Sequence, residues 1–558
     1  MGDNDSSDPT GPGQDPRDRT GRDDQGPLPG YVLVLLGVIT LVGLLLRLPS
    51  FNGSLAGDEI STYYIVVGHS LSRVLQLVHS NQETTPPLYF IVAWATKGLL
   101  GSPAQSIRLV SLVTGTAAIP LTFLLGLWTV GRRAALVGAA CISLSPYMIF
   151  FSTNARPYMM VLFLSLLSTL ALLRALDSGR WSWWAAYATF TSAAAYSHYT
   201  VVFLLVAQLT WALWTQPQAR RALVVANVAA GLTYLPWIPG LREDLNAPNF
   251  ISSLVPVSFH TLYGIVGRLW IGHPEIPLHS LPGDLAVVLA LTGLTLGLIG
   301  LLISLRGRSW AQWRPSPRAL LVIVLAVAPA VLVAVYSWTR VDILGGGNLI
   351  GSWPALAIVI GALVTSPTRP LRLAAVTLSL GAFAVGGIKM ISPNAQQTDV
   401  NSAVAFIRHT GDKGAPIVSM PIFANPLSEL DVALADSGQR RNHPVLRLGV
   451  PTLAEQLSSL AGPHPQPTFF GLAITPPQSV ARQAAALARH GTIFFVGNYG
   501  PSPALLKYYP DNPLSIFAEA LPPQFHMVQH VTFPGYLGIY PESVYVYRDT
   551  GSSGQRSR

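Results

Sequence analysis

Residues 31–59 read YVLVLLGVITLVGLLLRLPSFNGSLAGDE, a nearly unbroken apolar run and then a short loop ending on two adjacent carboxylates, Asp58 and Glu59. The run from Tyr31 to Leu46 approaches the roughly 18–20 apolar residues that a helix needs to cross a bilayer. It follows a polar, mixed-charge stretch too long for the leading region of a signal peptide. No small-residue cleavage site closes it, so it is read as a retained first span. An acid pair just beyond a span lies at the membrane–water boundary, where charge is costly and usually kept for chemistry.

The rest of the chain supports that setting. Of 558 residues, 50% are hydrophobic and only 11% charged, and the mean hydropathy is +0.42, which excludes an ordinary soluble enzyme. Further candidate spans run near 107–129, 134–151, 157–175, 184–197, 200–215, 222–240, 283–305, 319–336, 349–365 and 373–390. Much of the formal charge of +9 sits on arginines in short loops between these runs. That is the pattern of cytoplasmic loops rather than of a nucleic-acid footprint, so no nucleic-acid partner is expected. Arg17, Arg19 and Arg22 place the N-terminus in the cytoplasm. Arg132/Arg133, Arg174/Arg180, Arg220/Arg221, Arg306/Arg308/Arg314/Arg318 and Arg369/Arg372 are mutually consistent with it if every span crosses once. One short apolar segment, Pro87 to Leu100, breaks the parity unless it crosses only partly or the rule fails at Arg132/Arg133. The reading is 11 to 13 transmembrane helices, with a cytoplasmic N-terminus and an outward C-terminus.

Residues 1–29 are poor in apolar side chains and are expected to be disordered. The first outward loop spans 49–86, and its apolar pattern through 60–78 suits helices lying in the interface. After Met390 the composition changes: helical patterns at 399–409, 452–461 and 478–490 alternate with strand-like runs at 416–420, 468–474, 492–497 and 543–547. The predicted organisation is a helical membrane domain over 30–390, an extracytoplasmic α/β domain over 391–549 and a disordered tail over 550–558. The lone Cys141 lies in an apolar run, so no internal disulfide forms. Only four lysines stand against 31 arginines, which hints at a GC-rich genome.

On this threading several polar groups collect on the outward side: Asp58 and Glu59, Glu83, Asn154 to Tyr158, His198-Tyr199, and Arg340 with Asp342. Outward loops are polar in any case, so each residue taken singly has a bland explanation. Together they suit group transfer from a lipid phosphate, whose leaving group is already a stable anion. Such a reaction needs a carboxylate to take the acceptor's proton and cations to steady the departing phosphate. Adjacent side chains diverge, so one acid serves as base, with Asp58 preferred, and the other supports it. Arg156 can grip phosphate in two-pronged fashion or anchor a span end; Arg340 is a second candidate clamp. His198 and Tyr199 either line the site or belong to an aromatic belt.

These residues resemble a known family. Gly57-Asp58-Glu59 followed by Thr85-Pro86-Pro87-Leu88-Tyr89, then Ser152 to Tyr158, Tyr196-Ser197-His198-Tyr199, and Asn348-Leu349-Ile350 with Trp353-Pro354-Ala355-Leu356 are similar in order to motifs of the GT-C glycosyltransferases. The nearest branch is the group of protein O-mannosyltransferases and the lipid A aminoarabinose transferase. The resemblance covers most of 31–390. It implies a GT-C-like fold, a polyprenyl-phosphate sugar as donor and Asp58 as the base that activates the acceptor. Two positions depart from the family: its glutamate before Ala-Arg is Asn154 here, and its arginine before Asn-Leu-Ile is Gly347.

The expected function is therefore an inverting glycosyltransferase at the outer face of the plasma membrane. Mannose or arabinose on a polyprenyl phosphate is the expected donor in an actinobacterial setting, and an envelope glycan or lipoglycan the acceptor. Protein O-mannosylation is the rival within enzymes, and a lipid-linked sugar flippase or transporter the rival from another class. Asp58 and Glu59 are the catalytic candidates; Glu83, Arg156, Tyr158, His198, Tyr199 and Arg340 are the substrate-binding candidates. No metal ligand set has a recognisable spacing. A divalent cation stays open only because some of the resembling enzymes bind one near the first loop.

Overall fold

The first apolar run folds as helix α1, Gly30–Phe51, in a computed structural model that describes residues 28–80, 83–246, 259–306, 315–340, 343–419, 427–448, 476–497, 513–535 and 541–550. Residues 1–27 and 551–558 of the expected disordered ends, Asp342, and the helix and strand expected at 452–461 and 468–474 lie outside these residues. Two short helices follow in the loop, α2 (Asp58–Val66) and α3 (Leu71–His79). The latter buries Val74, Leu77 and Val78 on one side only, as an interfacial helix should.

Helix α4, Leu88–Thr96, has nine residues. At ~1.5 Å per residue it reaches less than half of a ~30 Å hydrocarbon core. It does not cross, and this removes the parity conflict at Arg132/Arg133. Helix α5 (Pro103–Thr129) starts where Ser102 accepts the Gln105 amide and Pro103 occupies the first turn.

The span expected at 134–151 is broken. Helices α6 (Arg132–Leu144) and α7 (Pro146–Ser152) meet at a 60° bend. Pro146 cannot continue the hydrogen-bond ladder, and the freed carbonyls of Ile142 and Ser143 are taken by the buried Arg47 guanidinium of α1, each at 3.2 Å.

The remaining helices of this part are α8 (Tyr158–Ser178), α9 (Trp181–Ala195), α10 (Val201–Thr215), α11 (Arg220–Tyr234), α12 (Ile238–Asn246), α13 (Phe259–Ile271), α14 (Asp284–Leu305), α15 (Pro317–Thr339), α16 (Trp353–Thr365) and α17 (Arg369–Lys389). Among the described residues eight helices are long and apolar enough to cross a membrane, or nine with the bent pair taken as one. The 15-residue α9 and α10 each span ~22 Å; counted as crossings they bring the total to the lower end of the expected range. The protein is a polytopic helical membrane protein.

The basic loops gather at one end of this bundle. Arg318 pairs with Asp177 and donates to the Trp128 carbonyl at 3.3 Å, and Arg174 lies over the Trp128 ring at 4.2 Å. The loops carrying Asp58, Arg156, His198 and Gly347 gather at the other.

Beyond α17 a small α/β unit is built on strands β1 (Ile417–Ser419), β2 (Val445–Arg447), β3 (Thr492–Gly497), β4 (Phe525–Phe533) and β5 (Glu542–Asp549). Their order is β2-β1-β3-β5-β4. The first two pairings are parallel and the last two antiparallel. Helices α18 (Val400–His409), α19 (Glu429–Asp436), α20 (Pro477–Leu487) and α21 (Pro513–Ala520) accompany the sheet. Its α18, α20, β1, β3 and β5 fall where periodicity predicts them. The three-residue β2, the short α19 and α21, and the exposed β4 escaped because each carries too little periodic apolar pattern.

Candidate active site

The loop after α1 is held by an arginine that the sequence reading passed over. Arg108, on the first turns of α5, is 2% exposed. Its Nη1 donates to the carbonyls of Ser50, Phe51 and Gly53 at 3.3, 3.2 and 2.6 Å, and Nη2 to that of Ser54 at 2.8 Å. These are carbonyls at the end of α1 and in the loop beyond it; that of Ser50 also accepts the Gly53 amide at 3.2 Å. The same guanidinium meets Glu59 in two-pronged fashion, Nε to Oε1 at 2.7 Å and Nη2 to Oε2 at 2.6 Å. Glu59 is fully buried, and Oε1 also accepts the Ala155 amide at 2.7 Å. Both its oxygens are committed, so Glu59 is placed as a pin between the first loop and the segment before α8, and not as a reacting group. A lone arginine near the start of an apolar run was the signal that could have found Arg108.

Asp58 is disposed the other way. Gly57 adopts φ +55° and ψ −127°, open to glycine alone, and starts α2 with Asp58 as its first residue. The Asp58 side chain is exposed, and no hydrogen bond or ion pair engages it among the described residues. Its charge acts on Arg156 and Tyr158.

Arg156 lies between α7 and α8, its carbonyl held by the Ser111 hydroxyl at 3.2 Å. It forms a buried two-pronged pair with Glu83, Nη1–Oε2 at 2.5 Å and Nη2–Oε1 at 3.0 Å. The fork expected to hold phosphate is thus engaged by Glu83 in this state. Its Nε–H is buried without an acceptor among the described residues. Burial works to lower the Arg156 pKa, but Glu83 and Asp58 outweigh it and hold the guanidinium charged. Burial would raise Glu83, but Arg156 and the Thr84 amide hold it below the usual range.

Tyr158 packs its ring on Phe151 at 4.8 Å and on His198 at 5.3 Å between centroids. His198, in the turn between α9 and α10, accepts the Thr200 amide on Nδ1 at 3.3 Å. Nδ1 therefore carries no proton, and the neutral ring presents Nε2–H as a donor. Burial, with Arg156 nearby, lowers its pKa to about 4, so the ring stays neutral near pH 7.

Gly347 lies flat against Tyr158: a Cβ there would come within 2.4 Å of the ring. The position where the resembling family carries arginine has no room for one here. Tyr147, swung into place by the α6–α7 bend, donates to the Gly346 carbonyl.

Two candidates stand apart. The Tyr199 hydroxyl bonds Asp244 and accepts Trp237 Nε1 at 3.0 Å, which ties it to α12. Arg340 caps the end of α15 with an exposed side chain. No contact among the described residues brings it to Arg156, so the expected second clamp is not assembled by this geometry. Among the described residues no three His, Cys, Asp or Glu side chains gather so as to hold a metal ion.

Residues 84–239 match the family model described as dolichyl-phosphate-mannose-protein mannosyltransferase. No curated protein sequence matches the chain. Of solved structures, ArnT from Cupriavidus metallidurans bound to undecaprenyl phosphate aligns over 94% of this chain and 98% of its own, at 13% identity and a TM-score of 0.49. The apo oligosaccharyltransferase from Archaeoglobus fulgidus aligns over 94% of this chain and 75% of its own, at 12% identity and a TM-score of 0.47. Over residues 84–239 the chain is similar to the dolichyl-phosphate-mannose-protein mannosyltransferases.

Proposed function

We propose that the protein is an inverting glycosyltransferase that moves a monosaccharide from a polyprenyl phosphate to an envelope glycan or lipoglycan at the outer membrane face. Mannose and arabinose are the favoured sugars, and mannose capping of an arabinan-bearing lipoglycan is the sharpest form of the reading. The observation that carries it is the contrast between the two acids: Glu59 is fully paired, whereas Asp58 is exposed and unengaged beside Arg156 and Tyr158.

In the proposed reaction Asp58 accepts the acceptor hydroxyl's proton as that oxygen bonds to the anomeric carbon. The bond from that carbon to the phosphate oxygen breaks on the opposite face, so the configuration inverts. Charge gathers on the departing polyprenyl phosphate, to which the orphaned Arg156 Nε–H and the His198 Nε2–H are the donors this reading assigns. The Asp58 end of the bundle faces outward on this reading, and the arginine-rich end faces the cytoplasm.

The family description matched over 84–239 favours a second reading, in which the acceptor is a protein hydroxyl. The test uses proteoliposomes carrying decaprenyl-phosphate [14C]mannose or [14C]arabinose, with lipoglycan or envelope protein as acceptor. Wild-type protein is expected to label lipoglycan and Asp58→Asn to lose about 100- to 10,000-fold in rate while remaining folded. Wild-type rates from Asp58→Asn would remove Asp58 as base. Label in protein alone would select the second reading, and lipid movement without transfer would select a flippase.

A further inference from the structure

The first loop is also touched from the C-terminal unit. Helix α19 begins with a capping box between Ser428 and Asp431, and its first residue, Glu429, accepts the Gly57 amide on Oε1 at 3.4 Å. Its last residue, Asp436, accepts the Ser102 hydroxyl and, at 3.4 Å, the Ala104 amide at the start of α5. Between them Val432 is 3% exposed and packs into the apolar core of the membrane helices. A second contact, Asn401 N–H to Ser54 Oγ at 2.9 Å, joins α18 to the same loop. One short helix of the C-terminal unit thus reaches from the Asp58 loop to the helix that carries Arg108.

Gly57 is the hinge of this arrangement. Its backbone lies where only glycine is unstrained, and the direction of its peptide sets the direction of Asp58 one residue later. The Gly57 amide is one of the free donors at the start of α2 and has no intrahelical acceptor.

We propose that Glu429 is a positioning residue: its carboxyl holds the Gly57 amide and thereby aims Asp58 at the acceptor. The C-terminal unit is then a working part of the transfer site rather than a cover. The inference rests on the reading of Asp58 as base.

The surroundings of Glu429 give the contact a pH dependence. Glu542, at the start of β5, is 5% exposed and its charge opposes that of Glu429. Burial pushes Glu429 up to about 7, and burial together with Glu429 pushes Glu542 well above the usual carboxylate range. The other charged or titratable groups on the elements around Glu429 are Asp58 and Glu59 on α2, Arg108 on α5, Arg408 and His409 on α18, and Asp431 and Asp436 on α19, with Arg440 and Arg447 paired to Asp431. As pH rises through about 7, Glu429 ionises and becomes the stronger acceptor for the Gly57 amide.

The experiment uses the full chain in proteoliposomes with decaprenyl-phosphate [14C]mannose and lipoglycan, as wild type, Glu429→Gln, Glu429→Ala and Asp436→Asn. A misplaced reacting group costs about tenfold to a hundredfold. Glu429→Ala should therefore lose that much kcat with donor KM within about twofold. Glu429→Gln keeps an acceptor oxygen without a titration, so it should retain more kcat and lose the wild-type rise in kcat near pH 7. Asp436→Asn, which loosens the docking elsewhere, should keep that rise. Wild-type kcat and pH profile from both Glu429 variants would overturn the proposal. Hydrogen–deuterium exchange of the peptide covering 54–66 reads the contact without any transfer, and it should quicken about tenfold in Glu429→Ala. If the wild-type protein transfers no sugar, the transferase reading fails. Unchanged exchange then overturns the contact, and faster exchange upholds it as a hold on the loop.

Discussion

Glu59 and Arg108 offer the sharpest test of how the first loop is built. Their side chains are 0% and 2% exposed and share two bonds of 2.7 and 2.6 Å. Removing one member of such a pair leaves an uncompensated buried charge, at a cost of about 3–5 kcal/mol. Glu59→Ala should therefore destabilise by about that amount. Arg108→Met should cost more, because the carbonyls of Phe51, Gly53 and Ser54 lose their donor as well. The double variant has no orphaned charge, so its cost should lie below that of Arg108→Met alone. That means a coupling of at least ~3 kcal/mol in a double-mutant cycle. Unfolding in detergent micelles, followed by the fluorescence of the 13 tryptophans, provides the four stabilities. Additive costs would refute the coupling. A Glu59→Ala protein with wild-type stability and no transfer would refute the pin, and would make Glu59 a reacting group.

Three further outcomes are expected. Gly347→Ala places a methyl group within 2.4 Å of Tyr158, so the ring must move off His198; kcat/KM for sugar transfer should fall about tenfold, and a wild-type rate would show the ring to be uninvolved. His198 has a pKa of about 4 against an ordinary 6.5, so between these values the unfolded chain binds a proton that the folded one refuses. Its contribution to stability is present above about 6.5 and fades as pH falls toward 4, and the melting temperature of His198→Gln should vary less over that window than that of the wild type. Because α4 does not cross, a cysteine at Gly98 should be labelled by an impermeant thiol reagent from outside intact cells in a Cys141→Ser background. One at Gly179 should react only after permeabilisation, and the reverse pattern would invert the proposed orientation.

Much of the helical part could be read from the chain itself. Apolar runs longer than the bilayer requires stand out against a composition with few charges, and arginines mark one side of each turn. The acid pair was visible for the same reason, since charge is rare near these spans. The break at Ser145-Pro146 was written in the proline, yet the run 134–151 reads as continuous because hydropathy does not register a missing amide. The C-terminal unit was only half legible: β3, six residues long and wholly buried, announces itself, whereas β4 carries mostly exposed side chains.

The sequence by itself determined that the chain enters the membrane many times, where polar groups cluster and which residue types could handle a phosphate. Those are local properties, set by runs of side chains and their spacing. Only the tertiary structure decided which acid is free. Glu59 is committed through Arg108 and the Ala155 amide, 49 and 96 positions away, and Arg156 through Glu83, 73 positions away. Adjacent residues with the same charge and the same hydropathy differ here because α2 turns one of them into the bundle and the other out of it. That difference comes from the positive φ at Gly57 and from partners the chain brings back from far along its length, which no window of sequence contains.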